Sequence, residues 1–286
     1  MSDAAAVQRA VVVGAGTMGA GIAQVAARAG ISTTLFDVAP GAAGRAIAKI
    51  GESLSRAVEK GKLSADDRAA TLAKLSASSD LDSSAANADL IIEAAPEDLA
   101  LKKDLFARLS KIAPAHAILG SNTSSLPITE IAQAAQHPER VIGLHFFNPV
   151  PVMKLLEIVQ GERTSGEVVA TARGLGARLG KEVIVVRDAP GFATSRLGIA
   201  IALEAMRMFE EGVASAEEID RAMELGYGHP MGPLKLTDTV GLDVRLAIAE
   251  HLCRELGDRY RPPQVLRRMV RAGKLGKKSG EGFYKY

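Results

Sequence analysis

Over the first two thirds of the chain, short apolar runs alternate with longer stretches of mixed hydrophobic and polar residues. Residues 10–14 (AVVVG) form a compact apolar run ending in glycine. Residues 17–29 then have helical composition, and Gly30 fits a C-terminal cap. Residues 32–37 (STTLFD) are rich in β-branched side chains and predict a second strand. Further strands are predicted at 89–94, 117–121, 141–147, 155–159 and 182–187, with helices over about 42–60, 98–112 and 167–179. Strands alternating with helices predict an α/β fold: a mainly parallel sheet with helices on both faces.

The pattern changes after residue 188. Ala189-Pro190-Gly191 breaks regular structure, and only helical periodicity follows, over 194–211, 216–225, 242–256 and 263–272. Two domains are therefore expected, 1–188 and an all-α 189–286. Composition adds limits. A single cysteine, Cys253, rules out an internal disulfide and a cysteine-based zinc site, and no histidine spacing suggests a metal. The formal net charge is +2, which gives no reason to expect a nucleic-acid partner. Nine basic residues and one acid fall within 259–286; few aromatics accompany them, and a solvated helix face is the expected reading. No apolar run approaches the ~20 residues of a membrane span, and the start carries no targeting pattern. A soluble cytoplasmic protein is expected. Its 286 residues are expected to hold no fused hydratase module.

Gly14-Ala15-Gly16-Thr17-Met18-Gly19 is G-x-G-x-x-G, placed between a predicted strand and a predicted helix. Gly14 allows the tight turn, Gly16 lets backbone approach a pyrophosphate, and Gly19 lets helix and strand pack closely. The helix start offers N–H groups and a positive dipole end to phosphates. Asp37 closes the next strand, 18 residues after Gly19. Its carboxylate can accept from both ribose hydroxyls and would repel a 2′-phosphate, so the motif predicts a Rossmann-like domain that binds NAD rather than NADP.

A second cluster lies in VIGLHFFNPVPVMKLLE, residues 141–157. His145 sits near the end of a predicted strand, and Asn148-Pro149-Val150-Pro151 breaks the chain. Glu157 follows His145 by 12 residues on the returning segment. Face to face, they would form an acid–base pair: an imidazole is a suitable base near neutral pH, and a carboxylate on its far nitrogen fixes the tautomer. A core histidine with a solvated glutamate is an equal alternative on these residues alone. Ser121-Asn122-Thr123-Ser124-Ser125 follows another strand, at the sheet edge where ligands bind in this architecture. One of its hydroxyls would also suffice as a helix N-cap.

Taken together, GAGTMGAGIA (14–23), SNTSSL (121–126), GLHFFNPVPVMKLLEIV (143–159), DAPGF (188–192), HPMGPLKLTDTVGLD (229–243) and KKSGEGFYKY (277–286) resemble the short-chain L-3-hydroxyacyl-CoA dehydrogenases nearly end to end. The resemblance implies an NAD-binding domain followed by a helical domain that forms a homodimer and closes the active site. It implies His145 as base, Glu157 as its orienting partner, Ser124 near the reacting oxygen, and Asn148 positioning substrate and His145. Glu97, Lys102, Asn122 and Lys278 match cofactor contacts, beside Gly14, Gly16, Thr17, Met18, Gly19 and Asp37. Ser53 and Lys60 match contacts to coenzyme A, although an ordinary polar helix face would look the same. One position departs: the family has Asn in PGF-x-x-N-R, where this chain has Ser195. A shorter hydroxyl there bears on substrate preference or turnover, not on reaction class.

The reaction implied is reversible oxidation of a (3S)-3-hydroxyacyl-CoA, such as 3-hydroxybutyryl-CoA, to the 3-ketoacyl-CoA. Two rivals stand beside it. One is a sugar-acid dehydrogenase of the L-gulonate type on the same fold, and the other is a non-catalytic NAD-binding or structural relative.

Overall fold

The computed structural model describes residues 7–286. They fall into two compact units, residues 7–188 and 189–286. In the first, the elements run β1 (Arg9–Val13), α1 (Thr17–Arg28), β2 (Ser32–Phe36), α2 (Ala42–Glu59), α3 (Ala65–Ala73), β3 (Leu75–Ser78), α4 (Leu81–Ala85), β4 (Leu90–Glu93), α5 (Leu99–Ile112), β5 (Ile118–Ser121), α6 (Ile128–Ala132), β6 (Val141–Phe146), β7 (Leu155–Gln160), α7 (Gly166–Arg178) and β8 (Glu182–Arg187). The strands make one sheet in the order β3-β2-β1-β4-β5-β6-β7-β8. Pairing is parallel throughout except between β6 and β7. Strand order reverses between β1 and β4, which is the switch point where such sheets open a crevice at their C-terminal edge.

The strands form because their side chains can be buried on both faces. Val12, Leu35, Ile92, Ile142, Leu144, Leu156 and Ile158 are sealed from solvent, with Ile22 of α1 and Leu175 of α7 packed onto them. Each such aliphatic side chain contributes about 1.5–3 kcal/mol. β3, α3, α4 and α6 were absent from the sequence-based prediction. β3 is an edge strand reading LSAS with no buried residue. The helices are short, and α3 and α4 rest on caps, Ser64 accepting from the Asp67 N–H and Asp80 from those of Asp82 and Ser83.

The second unit is helical: α8 (Thr194–Glu210), α9 (Ala216–Tyr227), α10 (Pro233–Val240), α11 (Leu242–Leu256) and α12 (Gln264–Arg271). Ile199, Leu203, Met206, Leu234, Leu242, Leu252 and Leu266 form its core. α9 opens on a reciprocal capping box between Ser215 and Glu218 and ends at Gly228 in the left-handed region, two residues later than its apolar periodicity predicts. α10, also not predicted, has Pro233 in its first turn. Its Leu234 and Lys235 N–H groups donate to the buried Asp220 carboxylate of α9. No helix among the described residues is long and apolar enough to cross a membrane.

Candidate active site

The site is assembled at the C-terminal edge of the sheet in the first unit. The turn after β1 needs its glycines. Gly14 has φ +105°, and a Cβ there would lie 2.6 Å from the Ala94 carbonyl oxygen. A Cβ on Gly19 would meet the Gly14 oxygen at 1.8 Å, so α1 packs against its own turn only with glycine present. Gly16 differs: a Cβ there would point into open space, so its lack of a side chain keeps room for a ligand rather than relieving a clash. Gly16 is also the N-cap of α1 and offers no side-chain acceptor to the helix N–H groups. Thr17 is exposed on the first turn, whereas Met18 packs against the core. Asp37, just past β2, accepts from the Ala15 N–H at 2.7 Å and the Ala39 N–H at 2.8 Å. A carboxylate has about four lone-pair sites, so holding the turn leaves capacity for ribose hydroxyls. The cradle, the helix start and the acid together fit a dinucleotide.

A cavity of about 610 Å³ opens beside this turn. Gly16, Thr17, Arg45, Lys49, Ser53 and Asn148 are among its lining residues. Ser53 thus faces the same space as Asn148 and the glycine turn, with the cations of Arg45 and Lys49 around it. Lys60 does not reach this space; it lies exposed beyond the end of α2. The Asn148–Pro149 peptide bond is cis.

The antiparallel pairing of β6 and β7 sets His145 directly opposite Glu157. His145 Nδ1 lies 2.8 Å from Glu157 Oε2, and both residues are buried. The imidazole also packs on Phe147, with ring centroids 4.4 Å apart. A core histidine beside a solvated glutamate is therefore not what forms: the carboxylate has no exposure and is held by the ring.

Glu97 draws the serine-rich segment together. Its Oε1 accepts from the Thr123 hydroxyl at 2.6 Å, the Ser124 N–H at 3.0 Å and the Ser124 hydroxyl at 3.3 Å. Thr123 Oγ1 accepts in turn from the Leu126 N–H at 2.9 Å, a local turn; the following helix α6 has Pro127 at its N-cap and no side-chain cap. Asn122 Oδ1 accepts from the Phe146 N–H at 2.9 Å, which ties the ends of β5 and β6 one residue past His145.

Lys102, expected as a cofactor contact, turns inward from α5. Its ammonium is buried, 2.5 Å from Glu93 Oε1 and 3.5 Å from Glu97 Oε2. Glu93 was missed in the sequence. It ends β4, is wholly buried, and also accepts from the Ser121 hydroxyl and the Ala95 N–H. A glutamate closing the run LIIE was its visible signal, since a buried carboxylate needs a cation and hydrogen-bond donors. Lys102 satisfies it and itself reaches Glu97.

Two expected site residues lie in the helical unit. Lys278 is paired with Asp243 at 2.6 Å, and Ser195 is the second residue of α8, half-buried. Among the described residues, no group of three or more His, Cys, Asp and Glu side chains could hold a metal ion.

Comparison with known proteins decides the class. Residues 9–189 match the 3-hydroxyacyl-CoA dehydrogenase NAD binding domain, and residues 191–286 match the 3-hydroxyacyl-CoA dehydrogenase C-terminal domain. The chain belongs to the 3-hydroxyacyl-CoA dehydrogenase family. It is an NAD-dependent oxidoreductase. A probable 3-hydroxybutyryl-CoA dehydrogenase of Bacillus subtilis (strain 168) is 47% identical over 281 residues, covering 98% of each chain. A 3-hydroxybutyryl-CoA dehydrogenase of Mycobacterium tuberculosis is 45% identical over the full length of both. The crystal structure of (S)-3-hydroxybutyryl-CoA dehydrogenase from Ralstonia eutropha superimposes with a TM-score of 0.94 at 42% identity, covering 98% of this chain and 99% of that one.

Proposed function

We propose that this dehydrogenase acts on (3S)-3-hydroxybutyryl-CoA and its short-chain homologues, with His145 as the base. The observation that carries this reading is the buried His145–Glu157 pair at the C-terminal edge of the sheet. With Nδ1 on Glu157, the proton-accepting atom is Nε2. It takes the C3 hydroxyl proton as C3 loses hydride; in the reverse direction the imidazolium returns it. Glu157 holds the ring in one tautomer and stabilises its cation. Ser124 bonds the reacting oxygen, and Asn148 and Ser195 position the acyl group. Gly14, Gly16, Thr17 and Gly19, with Asp37, hold NAD, and Glu97 steadies its nicotinamide side. When bound, NAD supplies the hydride acceptor. Arg45, Lys49 and Ser53 give the neighbouring cavity donors suited to the phosphates of coenzyme A, which a sugar acid lacks.

The protein is proposed to work as a cytoplasmic homodimer through its helical unit. Leu197 and Ile201 of α8, Leu236 and Val240 of α10 and Val244 of α11 are exposed aliphatic side chains on helices that pack together, a surface suited to a second copy.

Initial rates test the activity. Acetoacetyl-CoA should be reduced with NADH, with at least about tenfold preference over NADPH from the Asp37 charge. L-gulonate with NAD⁺ should give no comparable rate. Equal use of both nicotinamides would refute the Asp37 assignment, and turnover of L-gulonate alone would refute the substrate class.

A further inference from the structure

Glu93 closes β4 and is wholly buried, yet the acid–base pair makes no use of it. Strand register places it between Val13, which leads into the glycine turn, and Ser121 at the end of β5. Glu93 Oε1 accepts from Lys102 Nζ at 2.5 Å and from the Ala95 N–H at 2.7 Å, and Oε2 accepts from the Ser121 hydroxyl at 2.6 Å. A buried ion pair adds little stability beyond what apolar packing of the same volume gives, so stability alone does not account for one at a ligand-binding edge. An ammonium has three protons to give. Besides Glu93, Lys102 Nζ faces the Ala95 carbonyl at 3.3 Å and Glu97 Oε2 at 3.5 Å. Two carboxylates thus share one cation, and the cation stands nearer the buried one. The surplus negative charge falls on Glu97, whose side chain is 39% exposed where those of Glu93 and Lys102 are sealed. The Thr123 hydroxyl and the Ser124 N–H aim the Glu97 carboxylate but, being neutral, do not cancel its charge.

The sheet sets what this charge meets. In such a crevice the acid after β2 takes the adenosine ribose and the glycine turn takes the pyrophosphate; here these are Asp37 and residues 14–19. A dinucleotide laid across the switch point then carries its nicotinamide half over the ends of β4 and β5, towards His145 on β6. The ring is cationic in NAD⁺ and neutral in NADH. We propose that Glu93 is a positioning residue that tilts the site towards the oxidised cofactor: by drawing the Lys102 ammonium inward, it leaves the Glu97 charge to the nicotinamide ring. The inference rests on the reading above in which Glu97 lies on the nicotinamide side. In Glu93→Gln the amide keeps the shape, and the Ser121 hydroxyl can turn to accept from it. The ammonium then has one carboxylate left, Glu97, and neutralises it.

The test measures dissociation constants of NAD⁺, NADH and ADP-ribose for the full-length protein by calorimetry. Glu93→Gln should weaken NAD⁺ relative to NADH roughly 3–10-fold, the effect of one unit charge near the ring, with ADP-ribose binding unchanged. Glu93→Asp keeps the charge and should hold the ratio within about twofold of wild type. Glu97→Gln removes the same surplus charge from an exposed position and should shift the ratio in the same direction; it decides if Glu93→Gln does not fold. A ratio unmoved in Glu93→Gln but lowered in Glu97→Gln overturns the role of Glu93 and leaves the Glu97 reading intact. A ratio unmoved in Glu97→Gln overturns both. Equal weakening of all three ligands in Glu93→Gln assigns Glu93 to the fold alone and also overturns the proposal.

Discussion

At the scale of single residues, the chemistry rests on one cross-strand pair. Removing the imidazole in His145→Ala should lower kcat about 10²–10⁴-fold, the usual contribution of a positioned acid–base group, while NAD affinity stays near wild type. Glu157→Gln keeps the shape but removes the charge that favours the imidazolium. The kcat should then fall at least about tenfold, because an amide no longer fixes the imidazole in one tautomer. A kcat unchanged in the variant would separate Glu157 from the base. The glycines were legible because the turn they form has a geometry few residues satisfy, and His145 and Glu157 became legible through the resemblance carried by residues 143–159. The pairing of Lys102 with Glu93 was not legible. The position of Lys102 in PEDLALKK gives no sign that the ammonium turns inward, because its partner Glu93 lies nine residues earlier in another element. Lys60 gives no sign either way, since a basic residue at a helix end looks the same whether it meets a ligand or water.

At the scale of elements, burial on both faces made the strands readable. β1, β4, β5 and β6 are apolar runs, and their predicted bounds differ from the observed ones by a residue or less at each end. The antiparallel turn of β7 against β6 was foreseen only as a returning segment. Elements held by polar side chains were missed: α3 and α4 by caps, and α10 by Asp220. The end of α10 also fastens the C-terminus. Buried Asp238 accepts from the Phe283 and Tyr284 N–H groups at 2.9 Å each and from the Tyr286 hydroxyl, while the Tyr284 hydroxyl donates to Asp220. Burial pushes the Asp238 carboxyl above its ordinary range, these donors only partly opposing it, and neighbouring Asp220 adds to the rise. Burial and the adjacent Asp238 likewise raise the Tyr286 hydroxyl, to about 12. In the window between the ordinary carboxyl range and the raised folded value, the native state binds more protons than the unfolded one. Stability from Asp238 is thus fully present below that window and declines as pH rises through it. Asp238→Asn removes this titration. The thermal midpoint of wild type relative to the variant should therefore fall as pH is raised across the mildly acidic range. A difference that grows with pH would contradict the assignment.

At the scale of the whole molecule, the two units divide the work by composition. The first supplies a buried sheet whose edge carries the acid–base pair and the glycine turn. The second carries a core of its own and still leaves aliphatic side chains in water. Leu197 is 64% exposed and Val244 41%. Leu197 and Ile201, and likewise Leu236 and Val240, are each one turn apart on their helices, so each pair forms a continuous apolar strip. A few such side chains are ordinary on any surface, but paired strips on helices that pack together are what a two-fold interface requires: the same patch must serve both copies. Substituting Leu197→Lys and Ile201→Lys together places charges on that patch while leaving the buried Ile199 and Leu203 untouched. Sedimentation equilibrium at micromolar concentration should find wild type dimeric and the double variant monomeric, with circular dichroism showing helix content retained. A monomeric wild type would remove the dimer altogether, and a dimeric double variant would move the interface to another face of the helical unit.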